Sequence, residues 1–137
     1  IRMGDPECQV ILPRLNTDIV KIIIKSIENN LKNIKIEWKK QKCMTIVICA
    51  KGYPGTYKKN LKLEGLSNIK LNKTDFIYHA GTKILNNELR TIGGRILNVT
   101  SVGNNFLKIR KKIISIIKKI NWKYGFYRKD IGWKVIK

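Results

Sequence analysis

Residues 76–102 limit what this chain can fold into more than any other stretch. Phe76-Ile77-Tyr78-His79-Ala80-Gly81-Thr82-Lys83 leads into a short polar excursion, then Gly93-Gly94-Arg95-Ile96-Leu97-Asn98-Val99-Thr100. Two β-rich runs, each bent by glycine, read as an antiparallel ribbon with backbone exposed at its kinks. Residues 76–102 hold the only histidine of the chain, three of its ten glycines and two of its six arginines. Its polar groups collect at the kinks, so a ligand is expected there.

The remaining segments supply what such a ribbon packs against. Asn16-Thr17-Asp18 offers an N-cap with an acid in the first turn. Ile19, Ile22, Ile23, Ile27 and Leu31 follow at helical spacing, which predicts an amphipathic helix over 17–31 with a packing role. Residues 29–41 are polar and lysine-rich, with Ile34, Ile36 and Trp38 alternating as in a strand, and mark a boundary between two units. Cys43-Met44-Thr45-Ile46-Val47-Ile48-Cys49-Ala50 reads as a strand covered on both faces. It runs into Lys51-Gly52-Tyr53-Pro54-Gly55, a rigid turn that suits either a plain hairpin connection or a ligand loop. Lys62-Leu63-Glu64-Gly65-Leu66 reads as a further short strand with a bend.

Asn104 or Asn105 then caps a second helix. Its buried stripe is Phe106, Ile109, Ile113, Ile116, Ile117 and Ile120, and lysines 108, 111, 112, 118 and 119 cover the rest. The aromatics of residues 124–133 need a surface to dock on, and the sheet is the one expected. The order is turn, helix, several strands, helix and docked tail, an α+β chain with a mostly antiparallel sheet.

Composition narrows the partners. With 137 residues and 43% hydrophobic content, the chain holds one domain, or one plus a piece of another. It contains no run of 18 apolar residues and no visible secretory signal. It begins at Ile1 rather than Met, inside a polar motif, which reads as a truncated start. Cys8, Cys43 and Cys49 form no CxxC pair, so zinc is not expected, and free thiols fit a reducing, cytoplasmic compartment. Cys43 and Cys49 lie six apart, on one face of their strand. The net charge of +20 would normally indicate nucleic acid. Here 23 lysines stand against 6 arginines, beside 24 isoleucines and 13 asparagines. These residues have A/T-rich codons, so coding bias accounts for the excess, and neither nucleic acid nor membrane is expected as a partner.

The chemistry resides in the bends. No GxGxxG, Walker loop or GxSxG is present. What remains is a set of turns carrying Arg2, Asp5, Glu7, His79, Thr82 and Arg95. Guanidinium forks and exposed amides suit a small anionic substrate. His79 reads equally as a satisfied structural residue or as a substrate contact. The acids beside Arg2 read equally as a surface ion network or as a polar active-site strand end.

Taken in order, five motifs resemble the phosphoribosylamine–glycine ligase (glycinamide ribonucleotide synthetase) family. They are Arg2-Met3-Gly4-Asp5-Pro6-Glu7-Cys8-Gln9, Gly52-Tyr53-Pro54-Gly55, His79-Ala80-Gly81-Thr82, Gly93-Gly94-Arg95-Ile96-Leu97-Asn98-Val99-Thr100 and Arg128-Lys129-Asp130-Ile131-Gly132-Trp133. The resemblance covers essentially the whole chain; Met3 departs from the usual Phe, and Lys134 from the usual Arg.

It implies residues 1–34 as the end of an ATP-grasp domain, followed at 35–137 by a small β-rich, hybrid-motif-like C-terminal domain. The implied reaction joins phosphoribosylamine to glycine with ATP and Mg2+ or Mn2+, through glycyl phosphate, in purine biosynthesis. Arg2 and Asp5 take the implied catalytic positions. Pro6, Glu7, Gly52, Tyr53, Pro54, Gly55, His79, Gly81, Thr82, Gly93, Gly94 and Arg95 take the substrate-binding ones. The family's metal-binding Glu and Asn are expected before Ile1, so the 137 residues alone are expected to be inactive and the complete enzyme a monomer. Two alternatives stand beside this: an inactive remnant of that enzyme, and a basic nucleic-acid-binding domain.

Overall fold

Strand β1 (Lys42–Ala50) is the axis of the molecule, whose computed structural model describes residues 3–136. Its β-branched and sulfur-bearing residues suit a covered strand. A four-stranded antiparallel sheet forms around it in the order β2–β5–β1–β6, where β2 is Asp75–His79, β5 is Arg95–Gly103 and β6 is Gly125–Phe126. β1 and β5 pair from Lys42 opposite Gly103 to Ile48 opposite Leu97, and a bulge then sets Cys49 opposite Arg95. The expected ribbon is β2 on β5, with Phe76 opposite Thr100 and His79 opposite Leu97. The polar excursion between its arms is itself a hairpin, β3 (Thr82–Leu85) with β4 (Glu88–Thr91). Asn86 and Asn87 turn it with φ of 50° and 60°. Such a turn needs positive φ at both central residues, which asparagine tolerates better than most.

The two sheet faces are covered differently. Met44, Ile46, Ile48 and Ala50 join Leu97 and Val99 in the core beneath helix α3 (Phe106–Ile120). From α3 come Ile109, Ile113, Ile116, Ile117 and Ile120, with Phe106 at the margin, as the helical spacing requires. Asn105 is the cap, its side chain accepting from the Lys108 amide at 3.0 Å, and Asn121 ends the helix in the left-handed conformation. On the other face Cys43, Thr45, Val47 and Cys49 lie beneath the short helix α1 (Cys8–Ile11) and the C-terminal tail. β1 is therefore covered on both faces, but fully buried on only one. The tail docks in part: Tyr127, Ile131 and Ile136 pack against the core, whereas Tyr124, Phe126 and Trp133 stay exposed. Arg110 clamps it, with Nε donating to the Ile131 carbonyl at 3.0 Å and Nη2 to that of Lys129.

Three expectations need correction. The first helix, α2 (Ile19–Ile27), ends before Leu31, and Asp18 itself is the cap, accepting from the Val20 amide at 2.8 Å. Its apolar side chains pack against little: Val20, Ile23, Ile24 and Ile27 are 46–76% exposed. Leu31, Ile36 and Trp38 continue this exposed apolar surface. The alternation over residues 34–38 produces only one isolated bridge, Leu15 to Trp38, and residues 62–66 likewise only the bridge of Lys62 to Arg90. No helix among the described residues is long and apolar enough to cross a membrane.

The two helices should therefore respond differently to truncation. Ile113→Ala, at a fully buried position, is expected to cost about 2–5 kcal/mol by denaturant unfolding, whereas Ile27→Ser should stay within about 0.5 kcal/mol. Burial pushes the Cys43 thiol up from an ordinary 9.0 to about 11, with Arg14 opposing the shift. Below pH 9 the thiol is protonated both folded and unfolded. Between pH 9 and 11 only the folded chain retains that proton, so stability falls across this window, and Cys43→Ala should flatten that part of the profile.

Candidate functional site

The bend Gly93-Gly94-Arg95 is the hub that the first three motifs reach. The Gly94 carbonyl accepts from the Ala50 amide at 2.8 Å, and the Arg95 carbonyl from the Gly81 amide at 2.7 Å. The Gly81 carbonyl in turn accepts from Ile92 at 2.8 Å. Glycine is needed for this approach. A Cβ on Gly81 would stand 2.6 Å from the Arg95 carbonyl oxygen and 2.7 Å from the Gly93 Cα. A Cβ on Gly94 would stand 2.1 Å from the Tyr53 ring, which lies against the bend. Gly52 has φ of +100° and faces the Thr56 carbonyl, so the 52–55 turn leads into an irregular loop and not into a hairpin. Both Asp5-Pro6 and Tyr53-Pro54 are cis.

The N-terminal motif reaches the hub through Asp5. Arg95 Nη1 donates to the Asp5 carbonyl at 2.8 Å, while Nη2 lies 3.2 Å from the Asp5 carboxylate Oδ2. Oδ1 accepts from Gln9 Nε2 at 3.3 Å and from Asn98 Nδ2 at 3.4 Å. A carboxylate held by a guanidinium and two amides has a defined direction. The Asp5 side chain remains 38% exposed, so it can still meet a ligand. Glu7 folds back over Gly4, where a Cβ would meet its Oε2 at 2.3 Å.

His79 ends β2 at the surface, and its Nδ1 lies 2.9 Å from Thr82 Oγ1. Pro6 helps line a cavity of about 330 Å³ together with Tyr53 and Pro54 of the second motif and Arg128 and Ile131 of the fifth. Its floor is Thr45, Val47 and Cys49. Burial pushes the Cys49 thiol up, and Arg95 opposes this. Arg128 pairs with Asp130 through Nε to Oδ1 at 3.1 Å and Nη2 to Oδ2 at 2.6 Å, which holds the Asp130 carboxyl low.

Asp5, Pro6, Tyr53, Pro54, Gly81, Gly93, Gly94 and Arg95 thus share one neighbourhood, with Gly52 and Gly55 behind Tyr53 and the pair His79–Thr82 flanking Gly81. Arg2 lies outside the described residues. Sequence reading passed over Gln9 and Asn98. The signal for Asn98 was an amide inside an otherwise apolar strand run. Among the described residues no group of three or more His, Cys, Asp or Glu could hold a metal ion. The arrangement can orient an exposed carboxylate toward a cationic or amine group, and it presents glycine backbone beside it.

Backbone contacts cannot give way as a flexible side chain can. Gly81→Ala should therefore lower stability by about 3 kcal/mol, whereas Gly55→Ala, with only the Gly52 carbonyl at 3.2 Å, should cost under about 1 kcal/mol; urea midpoints compare them directly.

Residues 43–134 match the family model described as phosphoribosylglycinamide synthetase, C domain. The phosphoribosylamine–glycine ligase of Caldanaerobacter subterraneus is 41% identical over 131 residues, 96% of this chain and 31% of that protein. A bifunctional purine biosynthetic protein of Dictyostelium discoideum is 40% identical over 136 residues, 98% of this chain and 17% of that protein. The crystal structure of the phosphoribosylamine–glycine ligase of Thermotoga maritima superimposes with a TM-score of 0.68 at 26% identity, over 95% of this chain and 31% of that one. The chain spans about a third of the length of the first curated relatives it matches. By the match over most of its length, the chain belongs to the phosphoribosylglycinamide synthetase C-domain family.

Proposed function

We propose that these residues act as the C-terminal third of a phosphoribosylamine–glycine ligase in purine biosynthesis, and are inactive alone. The observation that carries this reading is the convergence of five motifs, dispersed over the sequence, on the bend Gly93-Gly94-Arg95 and the adjoining cavity. Residues 1–34 then complete an ATP-grasp domain and residues 35–137 form the C-terminal unit. The reaction is ATP-dependent: phosphoryl transfer to the glycine carboxylate gives glycyl phosphate. The amine of phosphoribosylamine attacks that carbonyl, and phosphate leaves with formation of the amide of glycinamide ribonucleotide.

In this reading Arg2 stabilises the reacting anion, a contribution of roughly 3 kcal/mol by comparison with a single oxyanion donor. Asp5, Pro6 and Glu7 shape the amine and glycine end. The bends at residues 52–55, 79–82 and 93–95 wall the phosphoribosyl group, with Arg95 serving the Asp5 side of that wall. Among the described residues no group of three or more His, Cys, Asp or Glu could hold a metal ion, and none of these roles depends on Mg2+ or Mn2+. A monomer in the cytoplasm, acting on small molecules without nucleic acid or membrane, completes the proposal.

A chimera tests it. Residues 1–137 joined to the N-terminal two-thirds of the Caldanaerobacter ligase should form glycinamide ribonucleotide from phosphoribosylamine, glycine and ATP. The 137 residues alone should form none. A folded chimera without product overturns the proposal, as does product formation by the 137 residues alone.

A further inference from the structure

Among the described residues, two buried side-chain atoms lack a hydrogen-bond partner, Gln9 Oε1 and Asn98 Oδ1. Both belong to the amides whose nitrogens donate to Asp5 Oδ1. The coincidence is informative, because a buried polar atom without a partner opposes folding. Asn98 is only 1% exposed, in a strand buried from Ile96 to Val102, with Val47 opposite on β1 and Tyr78 opposite on β2. An apolar side chain of similar size would satisfy that position without leaving an orphan oxygen. Gln9 stands on α1, a different element, and repeats the arrangement from the other side. Two elements thus each carry an unfavourable buried oxygen to direct an N–H at the same carboxylate oxygen. Arg95 independently holds the other carboxylate oxygen and the Asp5 carbonyl.

We propose that Gln9 and Asn98 are positioning residues that fix the direction of the Asp5 carboxylate toward the amine substrate. The inference rests on the reading that Asp5 faces substrate. The amides touch no substrate themselves; they restrict the rotation of Asp5 that Arg95 alone leaves open through Oδ1.

The experiment replaces the donor by an apolar group of similar shape, in the active chimera. Asn98→Leu removes both the aimed N–H and the orphan oxygen. The expected result is an unchanged or raised Tm together with a kcat lowered about tenfold to a hundredfold and an unchanged KM for ATP. A residue with only a structural role gives the opposite pattern, a lowered Tm with kcat intact, and that result overturns the inference. Gln9→Leu carries the same test if Asn98→Leu folds poorly, and loss of folding in both assigns them to structure and overturns it. Asp5→Asn separates the two levels. If Asp5→Asn is inactive while Asn98→Leu turns over normally, the positioning role alone fails; if Asp5→Asn is fully active, the reading beneath it fails.

Discussion

Everything in this molecule hangs on the antiparallel pairing of β1 with β5. These are its two longest strands, and they lie side by side at the centre of the sheet. One face of the pair carries the isoleucine-rich underside of α3. The other carries Thr45, Val47, Asn98 and Thr100, with Thr100 Oγ1 donating to Thr45 Oγ1 at 2.8 Å. That second face is polar and yet covered: Asn98 and Thr100 are buried, and Thr45 and Val47 half-buried. The N-terminal segment and the tail occupy it, and their arrival there brings separate motifs together. The site is thus a by-product of how one strand pair divides its two faces.

The five motifs could be read as a set, yet their geometry could not. Glycines at 81, 93 and 94 were visible as bends; that they touch one another and Tyr53 depends on tertiary approach. Helix α3 was legible almost residue by residue, because a stripe at helical spacing has one consistent burial solution. The β3–β4 hairpin was missed because Asn86-Asn87 looks like ordinary polar linker. Its meaning lies in backbone dihedrals that many polar pairs do not adopt. The first helix misled in the opposite sense. Periodicity states which side of a helix is apolar, but not whether a surface is there to receive it. α2 has the stripe and, among the described residues, no such surface.

Lysines 108, 111, 112, 118 and 119 gather on α3 while the others are scattered, and where lysines meet acids the pairs are mostly exposed, as with Lys25–Glu28 and Lys35–Glu37. Such pairs contribute little individually. The exception is Asp75, nearly buried, which accepts from Ser101 Oγ at 2.7 Å and lies 2.9 Å from Lys112 Nζ. It ties the edge strand β2 to both β5 and α3, which gives the histidine-bearing arm a firm base.

The bulge between Ile48 and Cys49 has a further implication. A strand has strict two-residue parity: moving it by one residue exchanges its faces. The irregularity ends that parity one step before Arg95. The core rows from Met44 to Ile48 are therefore insulated from the bend that follows. The unpaired residue at the bulge, Ile96, is itself fully buried in the core, so it anchors that bend. Asn98, on the scaffold side of the bulge, still reaches Asp5, so the scaffold and the bend remain coupled through that side chain.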